Sequence, residues 1–467
     1  MRPRADLPAA PVPPVVARIT STPMLRLPPM LRLPPMLRLP LRLPPPRTVP
    51  ARDVAGLDRS ALEALLEALA LGDPFHGRVR LSVEHASGRN AGPGVIACVP
   101  ARDEAERLPA SLDALRVSLA RLDEPAAILV LVNNSADDSV DRVRDWASRT
   151  DATVLVVEAD LDGEIADAGH ARRLALDLGA LVAAPDAVLL TTDADTRVAR
   201  DWARRLVGHV RAGAGAAAGM IDVEPDEFAA LPLRVREIEM AERALFREHA
   251  RTWRLLVPGE PLALALRVGG ASLAVSAKAY ARVGRLPPLA VSEDRAMVAS
   301  MLRHDERVAF DERATIRTSC RLHARVADGM AGMLRARMGV DDPVCDQDLH
   351  AAVRFAWLCL AWRHGRDRHA GMGRPDDAVP IARALGVDPA MLEPRSGETR
   401  GAAWERLMAA MPPTPRLRAS RVERERSAAR ALRRTFEAVG RSASVRAHAA
   451  SLVACDRGHP KEAPHHA

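Results

Sequence analysis

The stretch DAVLLTTDADTRV, residues 186–198, runs from an apolar segment straight into two carboxylates set one residue apart. Val188, Leu189 and Leu190 read as a buried strand. Charged side chains avoid dry interiors, so Asp193 and Asp195 must reach solvent at the strand's end or hold a cation there. Residues i and i+2 of an extended stretch point to the same side, which lets both carboxylates address one site. A solvated turn at DADT is the competing reading.

Outward from this segment the period of the chain alternates. GVIACVP (94–100), AAILVLVNN (126–134), TVLVVEA (153–159) and GAAAGMIDVE (215–224) read as further strands. Between them EAERLPASLDALRVSLARL (104–122), DSVDRVRDWASRT (138–150), AGHARRLALDLGALVAA (168–184) and RDWARRLVGHVRAG (200–213) carry apolar residues at helical spacing. Strands regularly separated by helices imply right-handed crossovers and an α/β fold, a mostly parallel sheet between helices. In such sheets ligands bind outside the carboxyl ends of the strands. The endings VPARDEAERL, NNSADDS and TTDADT therefore collect polar and acidic groups on one rim, although each taken alone is also ordinary turn chemistry.

Composition narrows the functional classes. The chain has 467 residues and a formal charge of +7, but its basic residues are almost all Arg, with Lys278 and Lys461 the only lysines. That bias, with abundant Ala, reflects a GC-rich, bacterial type of coding sequence more than a selected basic surface. With aromatic residues at 3% there is little to stack on bases, and no nucleic-acid partner is expected. Cys98, Cys320, Cys345, Cys359 and Cys455 are odd in number and form no C-x-x-C pair, the pattern of reduced thiols in a cytoplasm. The longest apolar run, LALALRVGGASLAV, is broken by Arg267 and a Gly pair, so no transmembrane segment is expected.

Four regions are expected. Residues 1–50 repeat MLRLPP at 24–29 and 30–35 and then decay through further prolines, which predicts an extended, disordered leader outside the core. Residues 51–93 form a helical lead-in around DRSALEALLEALALG (58–72), residues 94–335 the α/β domain, and residues 336–467 a helical region with a disordered tail. In that last region RASRVERERSAARALRRTFEAVG places Leu432, Phe436 and Val439 on one helix face. A helix covering the core is the expected reading, with peripheral contact to an anionic membrane as the alternative.

The order of the strand endings carries a resemblance. VPARDEAERLPASLDAL, then VNNSADDS, then DADT, then GGASLAVSAKAYARVG followed by SEDRAM, resembles family 2 of the nucleotide-sugar glycosyltransferases, which have the GT-A fold. The resemblance covers about residues 94–335. It implies a soluble, hexosyltransferase-like enzyme that moves a sugar from a nucleoside diphosphate to an acceptor hydroxyl, the acceptor being a small molecule, a lipid-linked group or a polysaccharide.

By the same resemblance Asp193 and Asp195 address a divalent cation, Mn2+ or Mg2+, and the donor, because a hard cation stabilises the charge gathering on a departing diphosphate. His323, beyond the E-D pair, is the candidate third ligand, and Arg317 and Arg321 beside it could grip the diphosphate. Pro100, Ala101 and Glu104 would line the nucleoside. Arg102 stands where a stacking aromatic is frequent, and Asn133 or Asn134 replaces the family's usual acidic base contact, which leaves the base open. Arg172 would be a nucleotide or phosphate contact. Asp294 maps to the base of an inverting transfer, with Glu293 as helper; the competing reading is two acids favoured by a helix's first turn. Two rival functions remain: a nucleotidyltransferase, which would want a Gly-rich phosphate loop that PARDEAERL lacks, and a non-catalytic sugar-nucleotide-binding scaffold.

Overall fold

The computed structural model describes residues 59–87, 92–260, 269–322, 330–440 and 443–457. The Pro-rich leader, the C-terminal tail and His323 lie outside the described residues. Among those described, nine strands form one sheet: β1 (Val79–Ser87), β2 (Val95–Ala101), β3 (Ala126–Asn133), β4 (Thr153–Leu161), β5 (Val188–Thr191), β6 (Thr196–Val198), β7 (Ala216–Val223), β8 (Leu273–Ser276) and β9 (Val308–Thr318). Their order is β1-β4-β3-β2-β5-β8-β7-β9-β6.

The block β4-β3-β2-β5 is parallel, as the alternation of strands and helices predicts, and β9 runs parallel to β7. Antiparallel β8 is inserted between β5 and β7, with β1 and β6 antiparallel at the two edges. This makes the α/β sheet mixed while keeping the carboxyl ends of β2, β3, β5, β7 and β9 on one rim. The amino end of β8 joins that rim because β8 runs the other way.

Alternation along β2 explains both layers. Ile96 and Cys98 face one apolar cluster, under the helix Ala168–Val182; Val95, Ala97 and Val99 face the other, under the helices Leu108–Leu119 and Trp202–Arg211. A strand buried on both faces needs such a continuous apolar run. Close approach fixes one helix: a Cβ at Gly179 would meet the Cys98 sulfur at 2.6 Å, so only glycine lets the helix lie so near β2.

Three expectations change. The strand predicted through Asp195 ends at Thr191, and Asp193–Asp195 lie in a turn before β6, so both reach the cleft from a turn and not from an extended stretch. The helix predicted from Glu104 begins at Leu108, with Pro109 in its first turn where its missing N–H costs nothing. Among the described residues of the helical lead-in, Arg59–Ala70 is the helical part; Val79, Leu81 and Val83 alternate with polar residues, and that period of two builds β1 against β4.

The helix Leu233–Leu256 leaves the sheet and is covered by later segments. His249 stacks on Phe355 with ring centroids 4.1 Å apart, and Trp253 lies 6.0 Å from Trp362, both partners belonging to the helix Ala352–His369. Leu432 and Phe436 of the helix Val422–Val439 are buried in the same apolar cluster, with Val439 half-buried, so this face covers the core. Cys98, Cys320, Cys345 and Cys359 are free and buried. No described helix is long and apolar enough to cross a membrane.

Candidate active site

The rim encloses a cleft of about 610 Å³. Pro100 and Ala101 line it at the end of β2 and Arg102 and Glu104 just beyond, Asn133 at the end of β3, and Asp193 and Asp195 after β5. Gly269 and Gly270 enter before β8, and Asp294 from the start of the helix Glu293–Arg303. Thr318 at the end of β9, with Ser319 and Arg321 beyond it, completes the wall. The ending rule thus extends to β9, a strand the sequence reading had not identified; Thr318 and Ser319 would have followed from it.

Two loops at one end are laced together. The amides of Asp103, Glu104 and Ala105 donate to Ser135 Oγ (2.9 Å), Ser139 Oγ (2.8 Å) and Asp137 Oδ2 (3.1 Å). Asp103 and Asn134 both hold a left-handed backbone, with φ of 48° and 46°. Asn134 does not line the cleft: its Nδ2 donates to the Leu161 carbonyl at 2.9 Å and its Oδ1 accepts from the Leu161 amide at 3.2 Å, tying β3 to β4. Asn133, buried beside it, is the asparagine that faces the cleft.

Charge in the cleft is arranged around two guanidinium groups. Arg321 grips both carboxylate oxygens of Glu104 and lies 3.4 Å from Asp195 Oδ2. Burial, then the neighbouring Asp193 and Glu104, push the Asp195 carboxyl up to about 7, against the pull of Arg321 and a hydrogen bond donated by Thr318 Oγ1. Arg172 is 6% exposed and donates to Asp193 Oδ1 (2.8 Å), Glu293 Oε1 (3.0 Å), Thr191 Oγ1 (3.0 Å) and the Gly270 carbonyl (3.1 Å). Burial works against its charge, yet Asp193 and Glu293 hold its pKa above the ordinary arginine value. Burial raises the Glu293 carboxyl, with Arg172 opposing and Asp294 adding to the rise.

Asp294 Oδ2 accepts the Gly270 amide at 2.8 Å, and its Oδ1 accepts the Arg295 amide at 2.6 Å. Each oxygen keeps a free lone pair direction for a further proton. Ser292, just before it, has φ 62°, a left-handed turn that aims the start of this helix.

Arg317 stays outside this assembly. It is exposed on β9, opposite Arg197 of β6 and Asp222 of β7; burial works to raise the Asp222 carboxyl, but bonds from Arg243 and the Val223 amide, with the charges of Arg243 and Arg317, hold it below its ordinary value. Its neighbour Thr318 takes the cleft side, as strand alternation requires.

Among the described residues no group of three or more His, Cys, Asp or Glu side chains is arranged as a closed metal cage. Asp193 and Asp195 nevertheless suit a cation of the Mg2+ type, which is held through one or two carboxylates plus substrate phosphates. The rise of Asp195 to about 7 marks a place short of positive charge.

Three comparisons bear on this chain. Residues 96–267 match the family described as Glycosyl transferase family 2. No curated protein matches it. Among solved structures, it is similar to the mannosyltransferase PcManGT of Pyrobaculum calidifontis in complex with GDP-Man and Mn2+, at 20% identity over 78% of this chain and 86% of that one, TM-score 0.35. It is also similar to S. aureus TarS 1–349 in complex with UDP-GlcNAc, at 12% identity over 79% and 93%, TM-score 0.38. A third is glucosyl-3-phosphoglycerate synthase from Mycobacterium tuberculosis in complex with Mn2+, UDP and glucosyl-3-phosphoglycerate, at 14% identity over 61% and 83%, TM-score 0.32. Much of the rim of this cleft thus belongs to the stretch, residues 96–267, that matches Glycosyl transferase family 2.

Proposed function

We propose that the chain transfers a sugar from a nucleoside diphosphate to an acceptor hydroxyl with inversion, Asp294 acting as base. The observation that carries this reading is the shared cleft, where Asp193 and Asp195 at the end of β5 face Asp294 across Gly270. The nucleoside would lie against Pro100, Ala101, Arg102, Glu104 and Asn133, with the diphosphate toward Arg321. When bound, a divalent cation held by Asp193 and Asp195 would neutralise charge on the leaving diphosphate. Arg321 would donate N–H groups to the same oxygens, as a planar guanidinium does well. Asp294 would take the acceptor proton while the sugar carbon is attacked from the face opposite the diphosphate.

The nucleotidyltransferase alternative needs free backbone amides in the first strand-to-helix loop to cradle phosphates. Here the amides of residues 103–105 are already spent on Ser135, Ser139 and Asp137, which favours the glycosyltransferase reading. Thermal unfolding with UDP and with GDP, each with and without Mn2+, tests it. A nucleotide at about a hundred times its Kd adds roughly 2.7 kcal/mol, a visible rise in midpoint. No rise with either nucleotide would reject the reading.

A further inference from the structure

Four of the five N–H donors of Arg172 are spent inside the protein, on two parts of the cleft that lie far apart in sequence. One side is the end of β5, through Thr191 and Asp193. The other is the Gly270 carbonyl and Glu293. Gly270 relays the contact: its carbonyl accepts from Arg172 and its amide donates to Asp294 Oδ2. A Cβ at position 270 would stand 2.5 Å from the Arg172 guanidinium carbon, so the glycine is the residue that admits the arginine.

We infer that Arg172 is a positioning residue that joins the cation-binding pair to the base, and not a contact of the donor. This rests on the glycosyltransferase reading above. Its planar fork meets acceptors in several directions at once, where a lysine ammonium is a single point on a flexible stem. Loss of the fork frees Asp193 to turn, leaves Glu293 buried without its cation and lets Gly270 carry Asp294 out of line. Metal-dependent donor binding and the chemical step therefore fall together, although Arg172 touches neither substrate.

The test uses the full chain, Arg172→Lys and Gly270→Ala, after melting curves confirm folding. UDP and GDP with Mn2+ serve as binding probes by calorimetry, hydrolysis of UDP- and GDP-sugars reads turnover, and amide exchange at Gly270 reads the relay. Arg172→Lys is expected to lower metal-dependent nucleotide affinity roughly tenfold, as loss of a ligand's supporting partner does. Its kcat at saturating donor should fall about a hundredfold, the cost of misplacing reacting groups by about 1 Å. The Gly270 amide should exchange at least ten times faster. Gly270→Ala keeps the arginine but crowds it, and should reproduce the fall in kcat. A raised KM with parental kcat in Arg172→Lys would make Arg172 a donor contact and overturn the inference, as would unchanged exchange at Gly270. If Arg172→Lys does not fold, parental kcat in Gly270→Ala overturns it alone. Failure of the parental chain to bind either nucleotide with Mn2+ would instead sink the functional reading, and exchange at Gly270 then judges the relay by itself.

Discussion

Arg321 Nη2 stands 3.4 Å from Asp195 Oδ2 while the same guanidinium grips Glu104. Buried Glu104 and partly buried Asp195 thus share one internal cation, and Asp193 turns to Arg172. Asp195, with its carboxyl pushed up to about 7, is the carboxylate that would gain most from a second positive charge. Asp195→Ala is therefore expected to lower Mn2+-dependent binding of UDP or GDP at least roughly tenfold, with the melting temperature of the free protein kept. Calorimetry with and without Mn2+ checks this; parental affinity at saturating Mn2+ would refute the assignment.

Asp294→Asn keeps the shape of the side chain and its bond from the Gly270 amide, and removes the basicity. Donor affinity should survive while transfer drops by about a hundred- to ten-thousand-fold, the usual contribution of a general base. Single-turnover measurements with a native acceptor decide it, and a parental rate would remove Asp294 from the chemistry.

Arg337, 2% exposed, pairs with Glu239 and Glu242 of the helix Leu233–Leu256. Removing the cation strands acids in a dry site, which costs about 3–5 kcal/mol in comparable buried pairs. Arg337→Met should lower the denaturant midpoint by that equivalent, while Arg337→Met with Glu239→Gln and Glu242→Gln should recover much of it. A single variant as stable as the parent would show that the pairing is not what holds this helix.

Burial, then the nearby His350, depress the His249 imidazole to about 3, from 6.5 in the unfolded chain. The folded state therefore binds fewer protons than the unfolded state between these values. The stability from keeping His249 neutral is fully present above pH 6.5 and is lost as pH falls toward 3. Its slope reaches about 1.4 kcal/mol per pH unit for one such group. His249→Phe keeps a ring against Phe355 and should flatten the fall between pH 6.5 and 4.5. Equal slopes for parent and variant in urea titrations would contradict this.

The sheet's parallel block was legible because β2 to β5 are apolar runs closed by polar endings, and the rim followed from that rule. β9 was harder, because it carries charged Asp311, Glu312 and Arg313 within it. That miss explains the placing of Arg317. Read without a strand it seemed to face the diphosphate, but alternation turns it away and gives the cleft to Thr318. Arg172, read from the sequence as a nucleotide or phosphate contact, lines the cleft, yet its protein partners could not be read from sequence. They come from Thr191, Asp193, Gly270 and Glu293, as many as 121 residues away, and only the folded chain brings them together.

The family match ends at residue 267, within a part of the chain whose helix Leu233–Leu256 is held from beyond that point. Phe355 covers His249, Trp362 lies against Trp253, Arg337 neutralises Glu239 and Glu242, and Arg430 reaches Glu248. Ancestry and thermodynamics therefore draw different borders on this molecule. A chain cut at the end of the matched stretch would leave apolar rings and unpaired acids facing water. Recombination that moved only that stretch into another gene would carry Asp193 and Asp195 but leave behind Gly270, Asp294 and Arg321 of the same cleft, together with the scaffolding that covers the helix.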